Sequence, residues 1–280
     1  DLFTKRTIRS HKPAEHVDTA VEGLALSIGE KARVDMEYME QLTGKSEEQL
    51  FADLSGVVFL NPDYEQGVND KYIPADEYLS GNVRKKLAYV QAFAASDPKY
   101  QANVDALTQV QPTDLTASEI SVRLGATWLK PDYYRQFIFE TLGTPRSAQW
   151  GIQVHYSQIT GEWRIEGKSK DRGNVKAINT YGTKRINAYE IIEDSLNLKD
   201  VRISDYVYDA DGKKQAVLNK KETAIAQSKQ ELLKEAFSEW LWKDPDRRER
   251  VCKAYNILFN SNRPREYDGS HISFDGMNPE

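Results

Sequence analysis

The spacing of apolar residues changes twice along this 280-residue chain, and that change constrains the fold more than any single motif. Up to about residue 110 the spacing is helical. Val21, Leu24, Ala25 and Ile28 recur at helical intervals, and a second short helix is predicted over 36–42 with Gly44 as its C-cap. Ser46-Glu47-Glu48-Gln49 has the form of a capping box: the Ser46 hydroxyl and the Gln49 side chain each satisfy a backbone N–H left without a helical partner. The helix it opens is predicted to run to about Leu54. Residues 57–60 form a strand candidate, followed by a loop rich in Asn, Pro, Asp and Gly. A helix is predicted over 77–95, interrupted near Gly81. Another starts at Asp97-Pro98, where Asp caps and Pro fills the first helical position.

After a linker candidate at Gln111-Pro112-Thr113, strands alternate with short helices. Residues 120–124 alternate apolar and polar side chains and read as a strand. A helix over 131–142 carries Tyr134, Phe137, Ile138 and Leu142 on one side. Residues 152–156 and 162–165 read as a hairpin around Thr160-Gly161, and 201–208 with 215–218 as a second across Asp211-Gly212. Asn187 to Glu190 repeats the capping-box form. Helical spacing returns after Asn219, with Ile225, Leu232, Leu233, Ala236, Phe237, Trp240 and Leu241, and then with Val251, Ala254, Tyr255, Leu258 and Phe259 beyond Asp244-Pro245. The predicted class is α+β: a mainly helical region over 1–110, a middle over 111–218 with small antiparallel hairpins, a helical pair over 219–262 and a polar tail over 263–280.

The chain is acidic, with a net charge of −5, so any nucleic-acid contact must rely on a local patch. Its single cysteine, Cys252, excludes an intramolecular disulfide and a cysteine-based zinc site, and fits a reducing cytoplasm. No apolar run approaches the ~18 residues that would span a bilayer, and no signal peptide is recognisable. The start at Asp1, without Met, is expected of a piece of a longer protein.

Catalytic motifs dissolve on inspection. Gly44-Lys45-Ser46 resembles the end of a phosphate-binding loop, yet Met39 stands where that loop needs a glycine, and the segment lies between helices where the loop follows a strand. Asn61-Pro62-Asp63-Tyr64 approximates the adenine-N6 methyltransferase motif, but Asp63 replaces its second proline and no glycine-rich cofactor turn precedes it. A plain turn is expected. His11, His16, His155 and His271 show no metal-ligand spacing. Cys252 sits in an amphipathic helix and is expected to be packed.

One stretch favours a polyanion. Arg164, Lys168, Lys170, Arg172, Lys176, Lys184 and Arg185 stand against Glu166 and Asp171, a local excess of +5. Gly167, Gly173 and Gly182 are expected to let backbone approach phosphates, and Tyr181 to stack on a base. A solvated loop is the alternative. Trp128, after Leu124-Gly125-Ala126-Thr127, is expected to be a core anchor more than a contact residue.

Several longer stretches, taken in order, carry a resemblance: Asp1-Leu2-Phe3-Thr4-Lys5-Arg6-Thr7-Ile8, then residues 42–48, 78–87, 122–128 and 219–223, and finally Arg263-Pro264-Arg265-Glu266-Tyr267-Asp268-Gly269-Ser270-His271. Together they resemble the segment joining the two engines of giant methyltransferase–helicase proteins of bacterial conjugative elements and phages, including phage antirestriction proteins. Those proteins pair an adenine-N6 DNA methyltransferase with a downstream SNF2-type helicase. The resemblance implies a non-catalytic DNA-engagement or coupling module, or a structural spacer. The flanking domains would use S-adenosylmethionine, ATP and magnesium, with no cofactor in this segment. No family catalytic residue maps onto it. Implied partners are DNA and those domains, with no membrane. Candidate DNA contacts are Lys168, Lys170, Arg172, Lys176, Lys184 and Arg185, with Arg263 and Arg265 leading toward the helicase.

Overall fold

The computed structural model describes residues 16–208 and 213–267. His11, His271, the Asp211-Gly212 turn, the stretch 1–8 and the end of the 263–271 stretch lie outside the described residues. The class is α+β, with α-helices and small antiparallel two-stranded sheets. The chain divides into two units, one comprising 1–113 with 256–280 and the other 114–255.

The first unit opens with α1 (Ala20–Lys31), α2 (Met36–Thr43) and α3 (Glu47–Asp53), followed by β1 (Val58–Leu60) and β2 (Tyr72–Pro74), which pair antiparallel. Local sequence explains the boundaries. Thr19 and Ser46 each close a capping box, Asp35 caps α2, and Gly44 ends α2 with φ +68°. Gly44-Lys45-Ser46 is therefore a helix–turn–helix junction, and Lys45 pairs with Asp53 at 2.7 Å. Leu24, Met39, Leu50, Leu54 and Val58 pack beneath these elements. The apolar face expected on α1 is rotated: Ala20, Gly23, Leu24 and Ser27 are buried, whereas Val21 and Ile28 are exposed.

The helix predicted over 77–95 is broken into α4 (Ala75–Tyr78), β3 (Gly81–Asn82) and α5 (Val83–Ala94). Gly81, at φ +71°, turns the chain so that Asn82 caps α5. A 3-10 turn at Pro98–Tyr100 leads into α6 (Gln101–Gln109), which packs with α5 around Val83, Val90 and Leu107.

The second unit contains α7 (Pro131–Leu142), α8 (Arg146–Gln149), the hairpin of β4 (Gln153–Ser157) and β5 (Glu162–Glu166), α9 (Ala188–Leu196), the hairpin of β6 (Ser204–Tyr208) and β7 (Lys214–Leu218), and α10 (Lys220–Lys243). It ends within α11 (Pro245–Phe259). The last strand, β8 (Asn262–Arg263), belongs to the first unit and pairs with β3. One continuous core holds Tyr134, Phe137, Trp163, Tyr189, Phe237 and Leu241.

Three expectations are corrected here. Residues 120–124 bury Ile120, Val122 and Leu124 in alternation but pair with no strand, so the period of two records burial without a ladder. Residues 201–203 precede β6 instead of joining it. The Val201 and Ile203 amides donate to Gln230 Oε1 and Thr223 Oγ1 of α10, which takes the place of strand pairing. The buried face of α10 runs through Ala226, Gln230, Leu233, Phe237 and Leu241, leaving Ile225 and Leu232 outside; Leu258 and Phe259 of α11 are likewise exposed.

Candidate nucleic-acid interface

The basic run of the second unit is folded into two tight turns that sequence periodicity did not reveal, a 3-10 turn at Lys168–Asp171 and a π turn at Lys176–Thr180. Their anchor is Asp171. It is only 6% exposed and accepts hydrogen bonds from the Tyr189 hydroxyl at 2.6 Å and Asn174 Nδ2 at 2.8 Å. Tyr189 also meets Thr144 Oγ1 at 2.8 Å, and burial together with the Asp171 carboxylate pushes its phenol pKa up. Because Asp171 turns inward, its neighbours Lys170 and Arg172 face out. Asn174 Nδ2 reaches the Leu142 carbonyl at 3.0 Å and stitches the run to the end of α7, where Lys176 Nζ lies beside Gly143.

The structure sorts the candidate cations into two groups. Lys168 pairs with Glu193 at 2.7 Å. Arg185 pairs with Asp205 at 2.7 Å and donates to the Ser204 carbonyl, and this contact holds the Asp205 carboxyl below its ordinary range. Arg164 faces Glu162 at 3.7 Å. In the first unit, Arg263 pairs with Glu266 at 2.9 Å, and Arg265 with Asp76 at 2.6 Å and Glu77 at 3.6 Å. Lys170, Arg172, Lys176 and Lys184 are exposed, and among the described residues none of the four has a carboxylate partner.

The glycines do other work than expected. A side chain at Gly167 would strike the Gly151 carbonyl, and one at Gly182 the Ala177 carbonyl, so both serve close backbone packing inside the unit; Gly173 alone is open. Tyr181 is half-buried against the core. Trp128 packs edge-to-face on Tyr255 at 5.6 Å, as a core anchor should. Gly125, just before it, has φ +93°, and a Cβ there would meet the Leu196 backbone.

Sequence reasoning missed Trp150, which is 88% exposed. It follows α8, whose Ala148 is buried, and precedes fully buried Ile152, so the indole stands outward between two core anchors. The β4–β5 register sets Gln153 opposite Glu166 and brings Gly151 to Gly167. The Lys170 side chain lies across Gly151, where a methyl group would collide with it. The only sequence signal was an aromatic residue next to a glycine.

The remaining motifs are occupied internally. Asn61 Oδ1 accepts from the Asp63 amide and its Nδ2 donates to the Asp70 carbonyl, the geometry of a plain turn. Burial pushes the Cys252 thiol pKa up. Among the described residues no His, Cys, Asp and Glu grouping is arranged to hold a metal, and no helix is long and apolar enough to cross a membrane.

Two families match parts of the chain. Residues 16–72 match the family described as "Probable helicase, winged helix domain", and 123–261 match "Domain of unknown function (DUF8437)". No curated protein and no solved structure matches. The first match spans α1, α2, α3 and β1 and ends at Tyr72, where β2 begins. Residues 16–72 are thus similar to a helicase-associated region.

Proposed function

We propose that this chain is a non-catalytic DNA-engagement and coupling module, working between an adenine-N6 DNA methyltransferase and an SNF2-type helicase of a larger protein, with the second unit touching DNA. The observation that carries this reading is the set of exposed, unpaired cations at Lys170, Arg172, Lys176 and Lys184. A Lys or Arg already paired to a carboxylate gains little from a phosphate, whereas a free one releases a counterion. The likeness of residues 16–72 to a helicase winged helix supports the helicase setting.

That segment is not the phosphate contact in this reading. Residues 16–72 hold twelve Asp and Glu against four Lys and Arg. In a helix–turn–helix the second helix enters the major groove, yet α3 bears Glu47, Glu48 and Asp53 and no cation. Acidic side chains there repel the duplex, so the winged-helix-like segment is assigned to protein contacts within the parent. S-adenosylmethionine, ATP and magnesium belong to the flanking domains in this proposal.

Fluorescence anisotropy with labelled duplex and single-stranded DNA at two salt concentrations tests the reading. Binding that weakens steeply with salt is expected. No binding at low salt would leave a structural spacer, the second reading, which the internal pairing of Lys168, Arg185, Arg263 and Arg265 favours. Heat of binding on titration with S-adenosylmethionine would revive the Asn61-Pro62-Asp63-Tyr64 motif as a methyltransferase element.

A further inference from the structure

We infer that Trp150 is a stacking platform for an unpaired base of single-stranded DNA, with Arg146, Lys170 and Lys176 neutralising the phosphates on either side. The inference rests on the DNA-contact reading of the second unit and adds the form of DNA that it takes.

The indole has a built seat. Ala148 and Ile152 tie the chain on both sides of it to the core, and the close Gly151–Gly167 contact holds the base of the β4–β5 hairpin against it. The backbone on both sides of the indole is thus fixed, while the ring itself, 88% exposed, leaves its faces open for a base to cover. Lys170 lies across Gly151, the residue after the indole, Arg146 stands at the start of the same short helix α8, and Lys176 lies beside Gly143 at the end of α7. Two carboxylates packed under the basic run are engaged internally: Asp171 is held by Tyr189 and Glu193 by Lys168, whereas Glu166 stays exposed beside His155 at 3.7 Å.

An exposed ring of this kind discriminates by strand form. In a duplex the base faces are stacked on one another, so a surface indole has no face to cover. In a single strand each base offers one, and stacking on an aromatic tolerates any sequence.

The test is anisotropy of the full chain with labelled oligothymidylate and with a duplex of equal length, at low salt. Trp150→Ala should weaken oligothymidylate binding about five- to hundredfold, the range that base–aromatic stacking covers, and leave duplex binding within about twofold. Trp150→Phe should retain most of the single-strand affinity. Because the side chain is outside the core, far-ultraviolet circular dichroism of both variants should match the parent. Paired Lys170→Ala and Lys176→Ala changes should weaken both ligands and flatten the salt dependence. If the parent binds oligothymidylate and Trp150→Ala binds it within about twofold of the parent, the platform is refuted while the DNA reading stands. Equal loss on both ligands also refutes it. If the parent binds neither ligand, both readings fall together.

Discussion

The two units solve different problems with similar materials. Among its described residues the first has two small clusters of buried side chains, and its sequence holds 22 Asp and Glu against 14 Lys and Arg. The second has one continuous aromatic core and holds 24 Lys and Arg against 21 Asp and Glu. An overall charge of −5 hides this division. Whole-chain composition required any polyanion contact to rest on a local patch, and the small positive excess lies in the second unit. Charge bears on partner choice at the scale of a folded unit, because neighbouring side chains set the local field and distant ones are screened beyond about a Debye length.

The comparison can be broken most forcefully through the cores. Phe237→Ala, removing a fully buried ring stacked near Tyr134 and Phe137, should destabilise the second unit by about 4 kcal/mol in urea unfolding. Its effect should be confined to the signals of that unit; a matching loss in the first unit's helices would show that the division is not energetic. Next in size, alanine at Lys170, Arg172, Lys176 and Lys184 together should lower DNA affinity on the order of a hundredfold at low salt and reduce the log–log salt slope by about three. The same treatment of Lys31, Arg33 and Lys45 in the acidic segment should change neither.

Smaller again is the buried anchor. Asp171→Ala removes the charged acceptor shared by the Tyr189 hydroxyl and Asn174, leaving them Thr144 and the Leu142 carbonyl, and should cost about 2 kcal/mol while loosening the turn that presents Lys170 and Arg172. Melting curves and DNA affinity measured on one sample would check both effects. The mildest test is acid. Hydrogen bonds from Lys71 and then Tyr72 hold Glu47 below the ordinary glutamate range, and burial followed by the Glu47 carboxylate pushes the Tyr72 phenol up to about 12. A depressed carboxyl stabilises the fold above its ordinary pKa, and that contribution fades as pH falls through the lowered value. The melting temperature of the first unit should therefore drop in that acid window, and Glu47→Gln should flatten the drop.

What could be read from sequence was mostly local. The capping boxes at Ser46 and Asn187, the Gly44 turn and the β4–β5 hairpin depend on residues within a few positions of one another, and all form. Faces and ladders depend on what packs across from them. Val21, Ile28, Ile225 and Leu232 have the right spacing but the wrong neighbours, and residues 120–124 alternate without a strand to pair with. The candidate site followed the same rule. Its cations were visible as a cluster of like charges, whereas which of them are paired, and the exposure of Trp150, are tertiary facts. Gly167 and Gly182 were misassigned because a glycine's purpose is written in the backbone that approaches it.

One hydrogen-bond chain has a practical corollary. The Thr113 carbonyl accepts from Asn260 Nδ2 at 2.7 Å, and that same amide donates to Asn256 Oδ1 at 2.8 Å. The first unit thus holds its own two cut ends side by side, and everything from Asp114 to Tyr255 is an inset in an otherwise closed loop. A few glycines spliced between Thr113 and Asn256 would span the cut, giving a minimal acidic protein against which every property of the inset can be measured by subtraction.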